Sequence, residues 1–170
     1  LTFRNYGEFV SARIVPAESG FTAIYQDFIR GTGKISIRAK VNLAQLEPFT
    51  CPTYVGFPNK VPDVYRAAEF IKELQAFEQH GNFPNFIILL LPNDHTSGTS
   101  PGMPTPRAAV ADNDLALGQI VEAIQTAQQR GLAAACRAKH HGNRIGTNIH
   151  ADIAKRLGAV RILKGEILDN

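Results

Sequence analysis

The feature that most constrains the fold is an unbroken apolar run, FIILLL at residues 86–91, which follows a clear amphipathic helix pattern. A strand without polar alternation is typical of a parallel sheet covered on both faces. Asp63 is a good N-cap just after Pro62, and Gly81 is a typical helix stop. The apolar residues on one face of this predicted helix are Val64, Ala67, Ala68, Ile71, Leu74 and Phe77.

A helix, a short turn and a buried strand form half of a doubly wound unit. The predicted fold class is therefore α/β, part of a doubly wound, mainly parallel sheet with flanking helices. Residues 86–91 are expected to be a central strand, with helices from Asp63 and from Thr105 packed against the sheet. Thr105 is a good cap, and Pro106 sits in the first turn, where proline is tolerated. The buried stripe expected for this last helix is Val110, Leu117, Ile120, Val121 and Ile124.

Shorter elements are predicted before Asp63. Loose alternation in residues 1–15 indicates a strand and a loop near a sheet edge, and residues 34–41 alternate as a second strand. Residues 25–30 are predicted to form a short helix that ends at glycine. Residues 48–62 are expected to be a loop, because four prolines and a glycine interrupt any regular element there.

Charge and aromatic content change near Gln125. Residues 1–124 carry 10 basic and 12 acidic side chains, and residues 125–170 carry 8 and 3, which agrees with the overall net charge of +3. Every Phe and Tyr lies at or before Phe86. We therefore predict a partial domain over residues 1–124 and a divergent basic tail over residues 125–170 that is less ordered and less packed.

A reading-frame change or a fusion junction near Gln125 would explain this break. Within the tail, helix is still expected locally at residues 131–139 and 151–157, where Ala, Leu and Arg favour it. The chain also begins inside a patterned segment, which favours a fragment of a longer protein. No apolar run reaches the length of a membrane span, so none is expected.

The loop after the apolar run carries the candidate chemistry. In an open parallel sheet, ligands bind beyond the carboxyl ends of the strands, and Asp94, His95 and Thr96 lie at that position, within a loop of residues 92–106. Asp94 is suited to a hard cation, and His95 to a transition metal or a phosphate oxygen. Asp and Thr after a strand also form local turns, and a single His is often only solvated. The residues alone leave both interpretations open.

Other polar groups favour structural interpretations. The acidic group at residues 112–114 is predicted to be a polar helix face near the favourable helix N-terminus, rather than a metal site. Cys51 and Cys136 form no CxxC pair, and two ordinary thiols are favoured over a disulfide. The tail histidines are expected to be solvated, because no carboxylate lies at a recognisable spacing. They are His140, His141 and His150.

Three motifs strongly resemble the bacterial phosphoesterase family, which includes phospholipase C-like and acid phosphatase-like enzymes of the alkaline phosphatase superfamily. They are LLPNDHT at residues 90–96, PGMPTPR at 101–107 and VADNDLALG at 110–118. Weaker, collinear similarities are FRNYGE at 3–8, IRA at 37–39, YVGFP at 54–58 and VPDVYR at 61–66. The resemblance covers roughly residues 1–124.

The resemblance implies a metal-dependent hydrolase of phosphate esters, with Asp94, His95 and Thr96 lining a phosphate and metal pocket. It implies a divalent metal ion as cofactor, a phosphate-ester substrate and, in the full-length protein, a β-propeller or the remaining phosphoesterase segments as partner. It also implies export or a periplasmic location in a bacterium. The family's Glu-Asn motif and its later acidic pair do not occur in this sequence. The nucleophile is therefore not among these residues, and the fragment is expected to be catalytically incomplete.

Two alternatives belong to other classes of function. One is a non-catalytic binding or assembly domain that kept the phosphoesterase fold. The other is a nucleic-acid-binding protein that uses the basic C-terminal segment, because residues 149–158 resemble the first helix and turn of a helix-turn-helix. The residues that follow offer a poor recognition helix, which disfavours this alternative.

Overall fold

The structure of the chain, a computed structural model, describes residues 2–141, with the backbone alone from residue 132 onward. Residues 2–141 form a mixed α/β structure with one small parallel sheet, one two-stranded antiparallel sheet and three α-helices. In chain order, the elements are β1 (Phe3–Tyr6), β2 (Val10–Val15), α1 (Phe21–Arg30), β3 (Ser36–Val41), a 3-10 helix (Ala44–Phe49), α2 (Asp63–His80), β4 (Phe86–Leu89), a second 3-10 helix (Pro92–His95) and α3 (Pro106–His141).

Strands β1 and β4 form the parallel sheet, in register from Phe3 opposite Phe86 to Tyr6 opposite Leu89. The prediction of a parallel strand in the apolar run is confirmed. The prediction of a central strand is wrong for residues 2–141, where β4 pairs with β1 alone. Phe86 accordingly remains 47% exposed and stacks on Phe3, with ring centroids 5.6 Å apart.

Strands β2 and β3, which flank α1 in the chain, form the antiparallel sheet, in register from Val10 opposite Val41 to Val15 opposite Ser36. Because side chains alternate across a strand, Ile14 and Ile37 share the inward face and are buried. They pack in a second core cluster with Ile24 of α1. The predicted strand at residues 34–41 is confirmed.

Helices α1 and α2 end where the sequence predicts, although α1 begins at Phe21 rather than at residue 25. Helices α1 and α2 end at Gly31 and Gly81, both in the left-handed conformation (φ 61° and 65°) that glycine adopts without a Cβ penalty. The N-cap of α2 is Pro62, so the prediction that Asp63 caps the helix is wrong. Asp63 is instead the first helical residue, and its side chain serves the polar network described below.

The main core lies between the α2-facing side of the parallel sheet and the helices α2 and α3, which confirms that the helices from Asp63 and Thr105 pack against the sheet. Tyr6 is central to this core and packs edge-to-face on Tyr54 and Phe70, at 5.3 and 5.0 Å between centroids. The buried members are Tyr6, Cys51, Tyr54, Val64, Ala67, Phe70, Leu74, Ala116 and Ile120.

The buried stripe of α3 differs from the predicted one. Val110 is 47% exposed, whereas Ala109, Ala116 and Ile120 are buried. Ala116 and Ile120 pack in the main core with residues of α2. The helix begins as predicted, with the Thr105 hydroxyl accepting a hydrogen bond from the Ala108 N–H at 3.3 Å.

No helix boundary marks Gln125. The predicted buried stripe of this helix ends at Ile124, but α3 continues to His141. The local helix predicted for residues 131–139 is confirmed as part of α3. The predictions for residues 142–170, including the helix at residues 151–157 and the basic segment of the nucleic-acid alternative, lie outside the described residues.

Within residues 2–141, none of the helices combines the length and the apolar composition that a membrane span requires.

Two backbone segments cross at Gly7 and Gly56. A Cβ on Gly56 would lie 2.3 Å from the Gly7 carbonyl oxygen and 2.6 Å from that of Val10. Both contacts are with backbone, which cannot rotate away as a side chain can. This crossing fixes the loop before α2 against the turn between β1 and β2.

We expect Gly56→Ala to lower the free energy of unfolding by about 1–3 kcal/mol, because the added methyl group overpacks the crossing. Gly118→Ala is the matched control, since Gly118 lies inside α3 with open space around it, and it should raise stability by about 0.5–1 kcal/mol. Urea denaturation of both variants measures the two effects. Equal stability of the Gly56→Ala variant and the unsubstituted protein would contradict the close approach.

Candidate functional site

The position of the loop after β4 depends on the buried guanidinium of Arg66. This side chain has no exposed surface, and its Nη1 lies 2.7 Å from Asp63 Oδ1 in a buried ion pair. Its nitrogens also donate to four backbone carbonyls of the loop before α2. These are Val55 (2.8 Å), Val61 (2.5 Å), Pro58 (3.1 Å) and Gly56. The loop at residues 55–61 is therefore wrapped around one charge.

The second oxygen of Asp63 connects this charge to the loop after β4. Asp63 Oδ2 accepts hydrogen bonds from the backbone N–H of Asn93 at 3.0 Å and from Asn113 Nδ2 at 2.9 Å. Burial raises the pKa of the Asp63 carboxyl above its usual value, while the Arg66 guanidinium and the two donors oppose that rise. The carboxyl is thus surrounded by protein donors on both oxygens.

Asp112 of α3 closes the network and caps α2 from another element. Its carboxylate accepts hydrogen bonds from the N–H groups of Asp63 (2.6 Å) and Val64 (3.4 Å), and from Asn93 Nδ2 (2.8 Å). A carboxylate at a helix N-terminus satisfies orphan donors and complements the helix dipole. The acidic group at residues 112–114 is therefore divided: Asp112 is a structural cap, and Asp114 is exposed.

The 3-10 helix Pro92–His95 turns the chain so that its first two residues are buried and its last two are exposed. Asn93 is 1% exposed, whereas Asp94 and His95 are both exposed, as predicted for the carboxyl end of the strand. The His95 ring packs on Phe57 with centroids 5.6 Å apart. Among the side chains of residues 2–131, neither Asp94 nor His95 has a hydrogen-bond partner, so both are available to a ligand.

Thr96 follows in a rare backbone conformation, with φ 54° and ψ −180°. A β-branched residue at positive φ is strained, at a cost of about 1–3 kcal/mol, and such strain clusters at functional sites. Two asparagines support the residue: Asn59 Nδ2 donates to the Thr96 carbonyl at 2.8 Å, and the Thr96 N–H donates to the Asn93 carbonyl at 3.0 Å. These two hydrogen bonds hold the Thr96 backbone in this conformation.

The three predicted pocket residues lie together because they are adjacent in the sequence. The rest of the described structure does not bring enough further metal ligands close to them. Within residues 2–131, no group of three or more His, Cys, Asp or Glu side chains could hold a metal ion. Asp94 and His95 supply two donors, whereas divalent metals take four to six or more ligands. The described residues therefore do not by themselves form a complete metal site.

Sequence reasoning missed the residues that hold this loop in place. Arg66 is buried on a face of α2 that is rotated from the predicted apolar stripe and includes Phe70. An aspartate and an arginine three residues apart, Asp63 and Arg66, were the available signal. Asn93 and Asp112 gave no comparable signal, because they meet only through tertiary contacts.

Comparisons of the chain with family models, curated proteins and solved structures found no match.

We expect Asp112→Asn to destabilise the protein by about 1–3 kcal/mol, because an amide cannot accept all three hydrogen bonds and leaves buried donors without a partner. Asp114→Asn removes the same charge two residues further along α3 and should change stability by less than about 0.5 kcal/mol. Urea unfolding of the two variants at neutral pH measures the difference. Equal effects of the two substitutions would argue that the carboxylate acts only through overall charge.

Proposed function

We propose that this chain is part of a metal-dependent phosphoesterase of the alkaline phosphatase superfamily, which hydrolyses phosphate esters. The observation that carries the proposal is the exposed pair Asp94 and His95, held at the carboxyl end of the parallel strand β4 by a buried polar network. The family-like motifs at residues 90–96, 101–107 and 110–118 support it, because they form this loop and the helix that backs it.

The roles proposed for the pocket residues follow from their chemistry. Asp94 offers carboxylate oxygens to a hard cation, and His95 offers a nitrogen to a metal or an N–H to a phosphate oxygen. The Thr96 hydroxyl is a third polar group beside them. A bound divalent metal would lower the charge on the phosphoryl oxygens and activate a nucleophile. The remaining ligands and the nucleophile would come from segments outside the described residues.

The open edge of β4 is consistent with this proposal. Within residues 2–141, β4 has one neighbour in the sheet, and Phe86 is half-exposed on the face that α2 does not cover. In a doubly wound sheet, further strands and helices would cover such an edge and such a face. The remaining phosphoesterase segments are the occupant that we propose for both, with a β-propeller as a further partner in the full-length protein.

The pocket is tested by titrating the isotope-labelled 170-residue chain with Mn²⁺. We expect the amide signals of Asp94, His95 and Thr96 to broaden first, weakly and reversibly on addition of EDTA. The double variant Asp94→Asn/His95→Gln should lose this selective broadening, and Asp114→Asn should keep it. Broadening that is uniform over the exposed carboxylates, or that persists in the double variant, would contradict the proposed pocket.

We expect the 170-residue chain to show no metal-dependent phosphatase activity, because a metal site needs its full ligand set. The assay uses a chromogenic phosphate monoester and diester with added Zn²⁺, Mn²⁺, Mg²⁺ or Ca²⁺. Robust turnover that a chelator abolishes would contradict the expected incompleteness and would place a whole active site in this chain.

A further inference from the structure

The outward face of the antiparallel β2–β3 sheet carries three basic side chains. Arg13 lies directly opposite Arg38 in the antiparallel register, and Lys40 follows on the same face two residues along β3. All three residues are exposed. The other residues of this face are Ser11, Val15 and Ser36. The face therefore has three cations, two hydroxyls and no carboxylate.

Within residues 2–131, no acidic side chain forms a salt bridge with this face. Among the side chains of residues 2–131, Arg13, Arg38 and Lys40 have no ion pair or hydrogen bond, whereas Arg4 and Arg66 each pair with an acidic side chain. Like charges directly opposite on a sheet are destabilising. The arrangement is the more unusual because residues 1–124 contain more acidic than basic side chains.

We propose that this face, hereafter the Arg13–Arg38 face, binds the phosphate group of a small molecule. Side chains directly opposite on an antiparallel pair have Cβ atoms about 4.5–5.5 Å apart, so two guanidinium groups can converge on one tetrahedral oxyanion. The planar guanidinium fork matches phosphate oxygens with paired N–H donors. Lys40 adds a third cation, and a bound anion removes the repulsion between Arg13 and Arg38.

The size of the face favours a single phosphate group over a polyanion. Recognition of anionic membranes uses clusters of about 4–8 basic residues, and nucleic-acid binding involves about 6–10 phosphate contacts or aromatic platforms for the bases. The Arg13–Arg38 face has three cations and no aromatic side chain. A small phosphate-bearing ligand is therefore the occupant that the charge complements. This proposal does not depend on the hydrolysis proposed above, because it involves a different pair of strands.

The test is a titration with inorganic phosphate at constant ionic strength, with sodium chloride as the compensating salt, followed by amide chemical shifts. We expect saturable shifts centred on residues 11–15 and 36–40. The variant Arg13→Gln/Arg38→Gln should weaken phosphate binding by about tenfold for each arginine removed. The matched control Arg30→Gln/Lys72→Gln removes the same charge from the exposed faces of α1 and α2 and should leave the affinity unchanged.

Thermal unfolding distinguishes a loss of phosphate binding from a loss of folding in the variant. Phosphate should raise the unfolding temperature of the unsubstituted protein, because a ligand that binds only the folded state stabilises it. Phosphate should not raise the unfolding temperature of the Arg13→Gln/Arg38→Gln variant, which should be at least as stable as the unsubstituted protein in phosphate-free buffer because the repulsion is gone.

Three results would overturn the proposal. They are the absence of localised shifts, an equal loss of phosphate affinity in the control variant, and shifts that appear with phosphatidic acid vesicles or an oligonucleotide but not with inorganic phosphate. The Asp94→Asn/His95→Gln variant should retain the shifts on β2 and β3. Failure of the pocket after β4 and failure of the Arg13–Arg38 face would therefore be distinguished in the same experiment.

Discussion

The buried guanidinium of Arg66 is the interaction on which most of the remaining structure depends. Removing a guanidinium from water costs several kcal/mol unless its donors are satisfied. Here five acceptors meet it, one from Asp63 and four from backbone carbonyls of the preceding loop. The loop is rich in proline and has few hydrogen bonds of its own. The hydrogen bonds to Arg66 therefore fix its conformation, as backbone pairing does in helices and strands. The close approach of Gly7 and Gly56 places the same loop against the start of the chain.

The network extends this order to the loop after β4. Asp63 binds Arg66 with one oxygen and the N–H of Asn93 with the other, and Asp112 holds both the start of α2 and the Asn93 side chain. Three segments that are distant in sequence therefore share one set of hydrogen bonds. Because Asn93 is held inside, its neighbours Asp94 and His95 face solvent at a defined position. The preorganisation that a binding site needs is thus built from groups that never touch the ligand.

The two proposed sites have opposite electrostatic requirements. The pocket after β4 carries a carboxylate and an imidazole and gains most from a cation, whereas the Arg13–Arg38 face carries only positive charge and requires an anion. They also differ in support. The first is supported by a strained loop above a buried network, and the second by the exposed face of a sheet whose strands are held by backbone pairing. Substitutions on the Arg13–Arg38 face are therefore expected to disturb the fold less than substitutions in the network.

The sequence by itself determined the elements whose signals are local. The parallel strand after Gly81, the glycine ends of α1 and α2, the Thr105 cap and the exposure of Asp94 and His95 all follow from short-range patterns and backbone sterics. Tertiary structure alone decided that β4 pairs only with β1 among the described residues, that Asp63 is not a cap, and that Asp112 is one. Those outcomes depend on which distant groups meet, and a buried charge or an orphan N–H is satisfied by whichever acceptor the fold brings near it. The spacing of residues in the sequence does not indicate which of these distant groups will meet.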